Sequence, residues 1–214
     1  GSTNGTFVNG TPVTRDVELR SGYFLDLGGT AFQVVRQCDT ARGPLPGAFD
    51  AVMKTNSQFD AADIAGGRSL ARLLNGGTLA PCYQAIYDLH TKELVGHEFL
   101  ARGIYPGIET AGQLFSQSAK AGRDVELSVL CRQQAFVHCH LLKSDLPVFV
   151  NTHPVEPLLD VVLPQMRTLR QAYPGRGMVL EIHEAAHTEP GLIRELRQQL
   201  AMINVQLGFD DFGA

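Results

Sequence analysis

Glu98, Asn151, Glu181 and Asp210 each lie at or near the end of a short apolar run, and Asp211 follows the last of them directly. The runs are 95–100, 147–150, 178–180 and 205–209. Every donor is a hard oxygen. Brought to one rim, the carboxylates would repel one another unless cations sat among them. All-oxygen ligation favours Mg²⁺ or Mn²⁺ over Zn²⁺. The adjacent aspartates suit two ions, one carboxylate bridging and the other binding the second. Two ions about 3.5–4 Å apart are the usual machinery for in-line hydrolysis of a phosphodiester.

The elements needed to position these donors are strands that end in register. From Leu79 onward, strand-like runs alternate with helix-like stretches at 110–121, 125–141, 155–172 and 189–203. In the last stretch Leu192, Leu196 and Leu200 recur every fourth residue, and Thr188-Glu189-Pro190 is a helix start. Such alternation predicts parallel strands in βα units. The last two intervals between donors are 30 and 29 residues. Each is close to one βα unit of an eight-fold barrel of about 250 residues, whose C-terminal strand ends form the active rim. The first interval, 53 residues, has room for two helices.

The N-terminal stretch reads differently. Asn4-Gly5 and Asn9-Gly10 are hairpin-turn signals, and strands are expected at 6–8, 17–19, 23–25 and 32–35. A meander of short strands belongs to a β-sandwich. Gly43-Pro44-Leu45-Pro46-Gly47 is rich in breakers, and a short helix is expected over 61–74, ended by Asn75-Gly76-Gly77. The expected division is 1–40 for the partial sandwich, 41–77 for a linker with a short helix, and 78–214 for the βα part.

Composition narrows the function classes. A hydrophobic content of 44% supplies a core, and no apolar run approaches the roughly 18 residues of a membrane span. A net charge of −4 gives no basic footprint for duplex nucleic acid. Cys38, Cys82, Cys131 and Cys139 lack metal or disulfide spacing and read as reduced, packed thiols of a cytoplasmic protein. The opening in mid β-segment and the end at Gly213-Ala214 read as a piece of a longer chain.

The residues also carry a resemblance. Residues 81–89, then Leu94-Val95-Gly96-His97-Glu98-Phe99-Leu100-Ala101-Arg102, resemble the opening and signature of EAL domains. Val150-Asn151, Leu180-Glu181-Ile182-His183-Glu184 and Asp210-Asp211-Phe212-Gly213 resemble the next three motifs in order. The resemblance implies a TIM-like (β/α)8 barrel of EAL type, incomplete in this chain, that hydrolyses cyclic di-GMP to linear pGpG with Mg²⁺ or Mn²⁺. It implies Glu98, Asn151, Glu181 and Asp210 as metal ligands, Asp211 at the second metal, and a metal-activated water as nucleophile. Arg102 would clamp a phosphate, Gln84 and Leu100 would line the substrate groove, and Glu184 would hold the loop after Asp211. The signature reads Glu-Phe-Leu instead of Glu-Ala-Leu, with Phe99 expected to face away from Glu98 and Leu100. Ala85 replaces a usual Pro and His183 a usual Thr. The family's later Lys, Glu and Gln would fall beyond Ala214.

Residues 2–10, followed by Leu19, Gly22 and Leu27-Gly28, resemble the C-terminal half of a forkhead-associated (FHA) domain, a β-sandwich that binds phosphothreonine peptides. Asn4 would correspond to the Asn that contacts the peptide. The implied partners are cyclic di-GMP and a phosphothreonine protein; the sequence leaves the oligomeric state open, a homodimer being one option. The rival readings are a catalytically inactive EAL-type sensor of cyclic di-GMP and an FHA scaffold. His183-Glu184-Ala185-Ala186-His187 spells a zinc-peptidase pattern, but that chemistry needs both His on one helix. The strand-like residues before it and the helix start after it leave no room for one. His138-Cys139-His140 places its two His two apart, on different faces of a helix.

Overall fold

The computed structural model describes residues 5–8, 11–19, 23–27, 30–36, 51–54, 61–183 and 189–210. Contacts divide the chain into two units, Gly1–Thr78 with Gly103–Arg123, and Leu79–Arg102 with Asp124–Ala214.

The first unit holds an antiparallel sheet of β1 (Thr6–Val8), β2 (Thr11–Pro12), β3 (Phe24–Leu27), β4 (Thr30–Arg36) and β5 (Ala51–Lys54), in the order β2-β1-β3-β4-β5. The strand expected at 17–19 is absent. Both edges of β1 are already taken, by β2 and β3, and Val17 and Leu19 stay 43% and 37% exposed. Of the three residues only Val17 is β-branched, so the strand preference of the triplet is weak. β5, in turn, falls where the composition suggested only a linker, and it pairs with β4 from Gln33↔Lys54 to Arg36↔Ala51.

Helix α1 (Ala61–Leu74) has the bounds that the sequence suggests. It packs on α2 (Ala111–Ala121), whose start is a capping box between Thr110 and Gln113. Gly122 ends α2 at φ 63, a left-handed geometry that Gly adopts without steric cost.

The second unit carries the site. β6 (Cys82–Tyr87) and β7 (Leu94–Leu100) form an antiparallel hairpin. Asp88 shapes its turn, its Oδ1 accepting the backbone N–H groups of His90 at 2.9 Å and Thr91 at 2.8 Å. These bonds hold its carboxyl below the usual range. The strand–helix alternation did not include β6, because a hairpin partner needs no helix. Beyond it the expected pattern holds. β7, β8 (Val148–Asn151), β9 (Met178–His183) and β10 (Gln206–Asp210) run parallel, in the order β10-β9-β8-β7-β6. α3 (Asp124–Val137), α4 (Leu163–Ala172) and α5 (Pro190–Met202) occupy the crossovers, α4 preceded by a π-helical turn. Pro lies in the first turns of α4 and α5, where its missing N–H costs nothing.

Period-two alternation divides this sheet into two faces. Phe99, Val148, Val150, Met178, Leu180 and Ile182 are buried on one. Phe99 meets Tyr83 edge-on at 5.4 Å, and the Tyr83 hydroxyl donates to the Ala135 carbonyl of α3 at 2.5 Å. The opposite face bears Glu98, Phe149, Asn151, Glu181, Gly208 and Asp210, one polar row above an apolar floor.

Candidate active site

Register explains why the donors meet. Asn151 is the last residue of β8 and stands level with Glu181 on β9, and Glu181 stands level with Gly208 on β10. Asp210 lies two residues further on, on the same face. Glu98 lies level with Phe149, so its side chain reaches forward along the strand to the Asn151 amide. Asn151 Nδ2 donates to Glu98 Oε1 at 2.7 Å, which leaves the amide oxygen as the atom with which Asn151 would hold a cation.

Glu181 is the electrostatic centre. Its pKa rises from 4.5 to about 7, first through burial and then through the charges of Glu98 and Asp210. Its Oε2 is buried with no hydrogen-bond partner among the described residues. Gly208 contributes the space beside it, since a Cβ there would stand 3.3 Å from Glu181 Cγ. A buried carboxylate oxygen without a donor, next to two further carboxylates, is the setting a hard divalent cation satisfies. Among the described residues, no three His, Cys, Asp or Glu side chains are grouped so as to hold a metal ion by themselves. Glu98 and Asp210 act on Glu181 through their charge.

The remaining predicted residues fall in three groups. Gln84 stands directly opposite Glu98 across the β6–β7 ladder and is exposed, and Leu100 is half-buried opposite Cys82. Arg102 is half-buried, and its Nη1 donates to the neighbouring Ala101 carbonyl at 2.8 Å. Asp211, Glu184 and Asn4 lie outside the described residues, as do Asn9-Gly10.

The family model of the EAL domain matches residues 68–214, more than half of the chain. The chain belongs to the EAL domain family. A second family model, the FHA domain, matches residues 1–28. Among the curated proteins nothing matches. Among solved structures, the chain is similar to the PaMucR phosphodiesterase in complex with c-di-GMP, at TM-score 0.54 and 22% identity over 64% of this chain and 61% of that one. The FimX EAL domain from Pseudomonas aeruginosa, bound to c-di-GMP, gives 0.53 and 20% over 71% and 63%. Klebsiella pneumoniae BlrP1 in a calcium and cyclic di-GMP complex gives 0.51 and 22% over 66% and 36%. At these identities the likeness is one of fold, a mixed α/β EAL architecture with a parallel sheet, and the chain spans less than two thirds of each neighbour's length.

Other clusters resolve as structure. His183 ends strand β9, so the zinc-peptidase pattern starts on a strand, and Glu184 to His187 lie outside the described residues. His138 Nε2 meets Gln134 Oε1 at 3.0 Å, His140 Nδ1 meets the Val137 carbonyl at 2.9 Å, and Cys139 between them is buried. Cys82, Cys131 and Cys139 are free thiols, and burial pushes Cys131 up to about 12. No helix among the described residues is long and apolar enough to cross a membrane.

Sequence reasoning missed Arg132 and Glu156. The signal was present but local to one helix: Arg132 sits on the same stripe of α3 as the buried Leu127, Ser128, Ala135 and Phe136. A cation on a core-facing stripe calls for a buried partner.

Proposed function

We propose that the EAL part of this chain serves a metal-dependent phosphodiesterase that hydrolyses cyclic di-GMP to linear pGpG in the cytoplasm. The supporting observation is the placement of Glu98, Asn151, Glu181 and Asp210 on one face of four parallel strands, with Glu181 half-buried, its Oε2 buried without a hydrogen-bond partner among the described residues, and its carboxyl raised to about 7. In this reading those four residues hold one Mg²⁺ or Mn²⁺, and Asp211 serves a second. When bound, such ions neutralise phosphoryl charge and lower the pKa of a water.

The chain's own residues do the rest. Asn151 holds Glu98 in place through its amide. Gly208 keeps the Glu181 flank open. Gln84, level with Glu98, and Leu100 line the substrate side, and Arg102 turns from the Ala101 carbonyl onto a phosphate, for which its planar fork is suited. Glu184 supports the loop that follows Asp211. The N-terminal sheet is proposed as part of an FHA-like module for a phosphothreonine protein, with Asn4 at the peptide, and the assembly as a homodimer.

The test is incubation of the full-length protein with cyclic di-GMP and Mg²⁺ or Mn²⁺, following the linear dinucleotide. Turnover abolished by Glu98→Ala and by EDTA is the expected result. Binding without turnover would move the protein to the sensor class and sink the hydrolase reading.

A further inference from the structure

Beneath the donor row, α3 and the β8 exit share a buried polar network that the proposed chemistry does not itself use. Arg132 and Glu156 form an ion pair in which both side chains are 0% exposed. Arg132 Nη2 donates to Glu156 Oε1 at 2.5 Å and Nη1 to Oε2 at 2.7 Å, a bidentate fork. Arg132 Nε donates to Gln165 Oε1 at 2.7 Å, and Gln165 Nε2 in turn donates to the Val129 carbonyl. Ser128 Oγ donates to Glu156 Oε2 at 2.7 Å and accepts from Arg132 Nη1 at 2.9 Å.

Two strands of this network end on the segment that carries Asn151. Arg132 Nη1 donates to the Asn151 carbonyl at 3.2 Å. The backbone N–H of His153 donates to Glu156 Oε2 at 2.7 Å. Between them, the Thr152 N–H and Oγ1 donate to the Glu181 carbonyl at 2.9 and 3.1 Å. Three consecutive residues are therefore tied alternately to the ion pair and to the backbone of the neighbouring donor strand. The Asn151 side chain has its backbone held at the carbonyl and its amide on Glu98.

Such a pair is not explained by stability alone. Replacing a buried ion pair by well-packed apolar residues is often neutral or stabilising. Outer partners of metal ligands, by contrast, set ligand orientation and act strongly on affinity.

We infer that the Arg132–Glu156 pair is a positioning device. It fixes the β8 exit so that Asn151 engages Glu98 and stands level with Glu181, and through this it tunes cation affinity. Arg132 and Glu156 touch neither substrate nor ion in this scheme. The inference rests on the metal reading of the site, and its test separates the two.

The test compares the full-length protein with Arg132→Met/Glu156→Leu, which removes both charges at similar volume. Three readouts are taken: urea unfolding, the Asn151 side-chain amide signals in a ¹⁵N–¹H spectrum (assigned with Asn151→Asp), and the affinity for Mn²⁺ alone by the resonance of free Mn²⁺. The double variant is expected to stay folded, to lose the hydrogen-bonded Asn151 amide shift, and to bind Mn²⁺ about 10- to 100-fold more weakly. A folded double variant with the wild-type Asn151 signals and the wild-type Mn²⁺ affinity overturns the inference. Should it fail to fold, Glu156→Gln keeps the shape and weakens the fork, and the same two readouts must move in the same direction. If Glu98→Gln binds Mn²⁺ as the wild type does, the metal reading fails, and the Asn151 amide signals alone still decide whether the pair positions the β8 exit.

Discussion

Replacing Glu181 by Gln in metal-free protein should abolish the loss of stability that this site suffers as pH rises. The Glu181 carboxyl moves from 4.5 to about 7 in the fold. A carboxyl raised in the native state binds its proton more tightly there than in the unfolded chain. Its contribution is therefore fully present below pH 4.5 and lost as pH rises through about 7. At 1.36 kcal/mol per pH unit the full displacement corresponds to about 3.4 kcal/mol. Glu181 is half-buried, and solvent screening reduces what is expressed to about 1–2 kcal/mol. Glu181→Gln removes the titration and the repulsion from Glu98 and Asp210 while keeping the shape. The assay is urea unfolding in EDTA at about pH 5 and about pH 8. The variant and the wild type should be nearly equal at the lower pH, with the variant more stable by about 1–2 kcal/mol at the higher. Saturating Mn²⁺ at about pH 8 should invert the order, because an ion at 100 times its Kd adds about 2.7 kcal/mol to the form that binds it. Parallel pH curves for the two proteins, or a variant less stable at about pH 8, would refute the burial and charge argument.

Other consequences follow from the same geometry. Mn²⁺ affinity should tighten about tenfold between pH 6 and 8 and then level off, as Glu181 gives up its proton near 7; a flat titration would contradict it. Gly208→Val should weaken Mn²⁺ binding about tenfold, because even a Cβ would stand 3.3 Å from Glu181 Cγ, and a wild-type affinity would show that this flank is not used. Gly96→Ala should cost about 1–3 kcal/mol in urea unfolding, since its Cβ runs into the Phe149 ring, 2.9 Å from Cδ2, and lies 3.1 Å from the Pro147 carbonyl oxygen.

Much of the site was legible along the chain because its placement is local. An oxygen donor just after an apolar strand run tends to land at a strand end, as Asn151 and Asp210 do on β8 and β10, whereas β9 continues two residues past Glu181. The end of α1 followed from the Asn75-Gly76-Gly77 stop for the same reason. Strand partners were a different matter. The antiparallel β6, the β5 edge and the missing strand at 17–19 depend on which backbone edges remain free, a property of the assembled sheet.

Tertiary structure alone decided the electrostatics. Asn151 and Glu98 are 53 residues apart and meet through the offset register of β7 and β8. The rise of Glu181 requires burial together with charges from β7 and β10. Arg132 and Glu156, 24 residues apart, look in sequence like one charge on a helix and one in a loop. Coulomb interaction and desolvation act through space and grow as water is excluded, so the chain order lists the donors, and the fold determines which of them hold a proton or a partner.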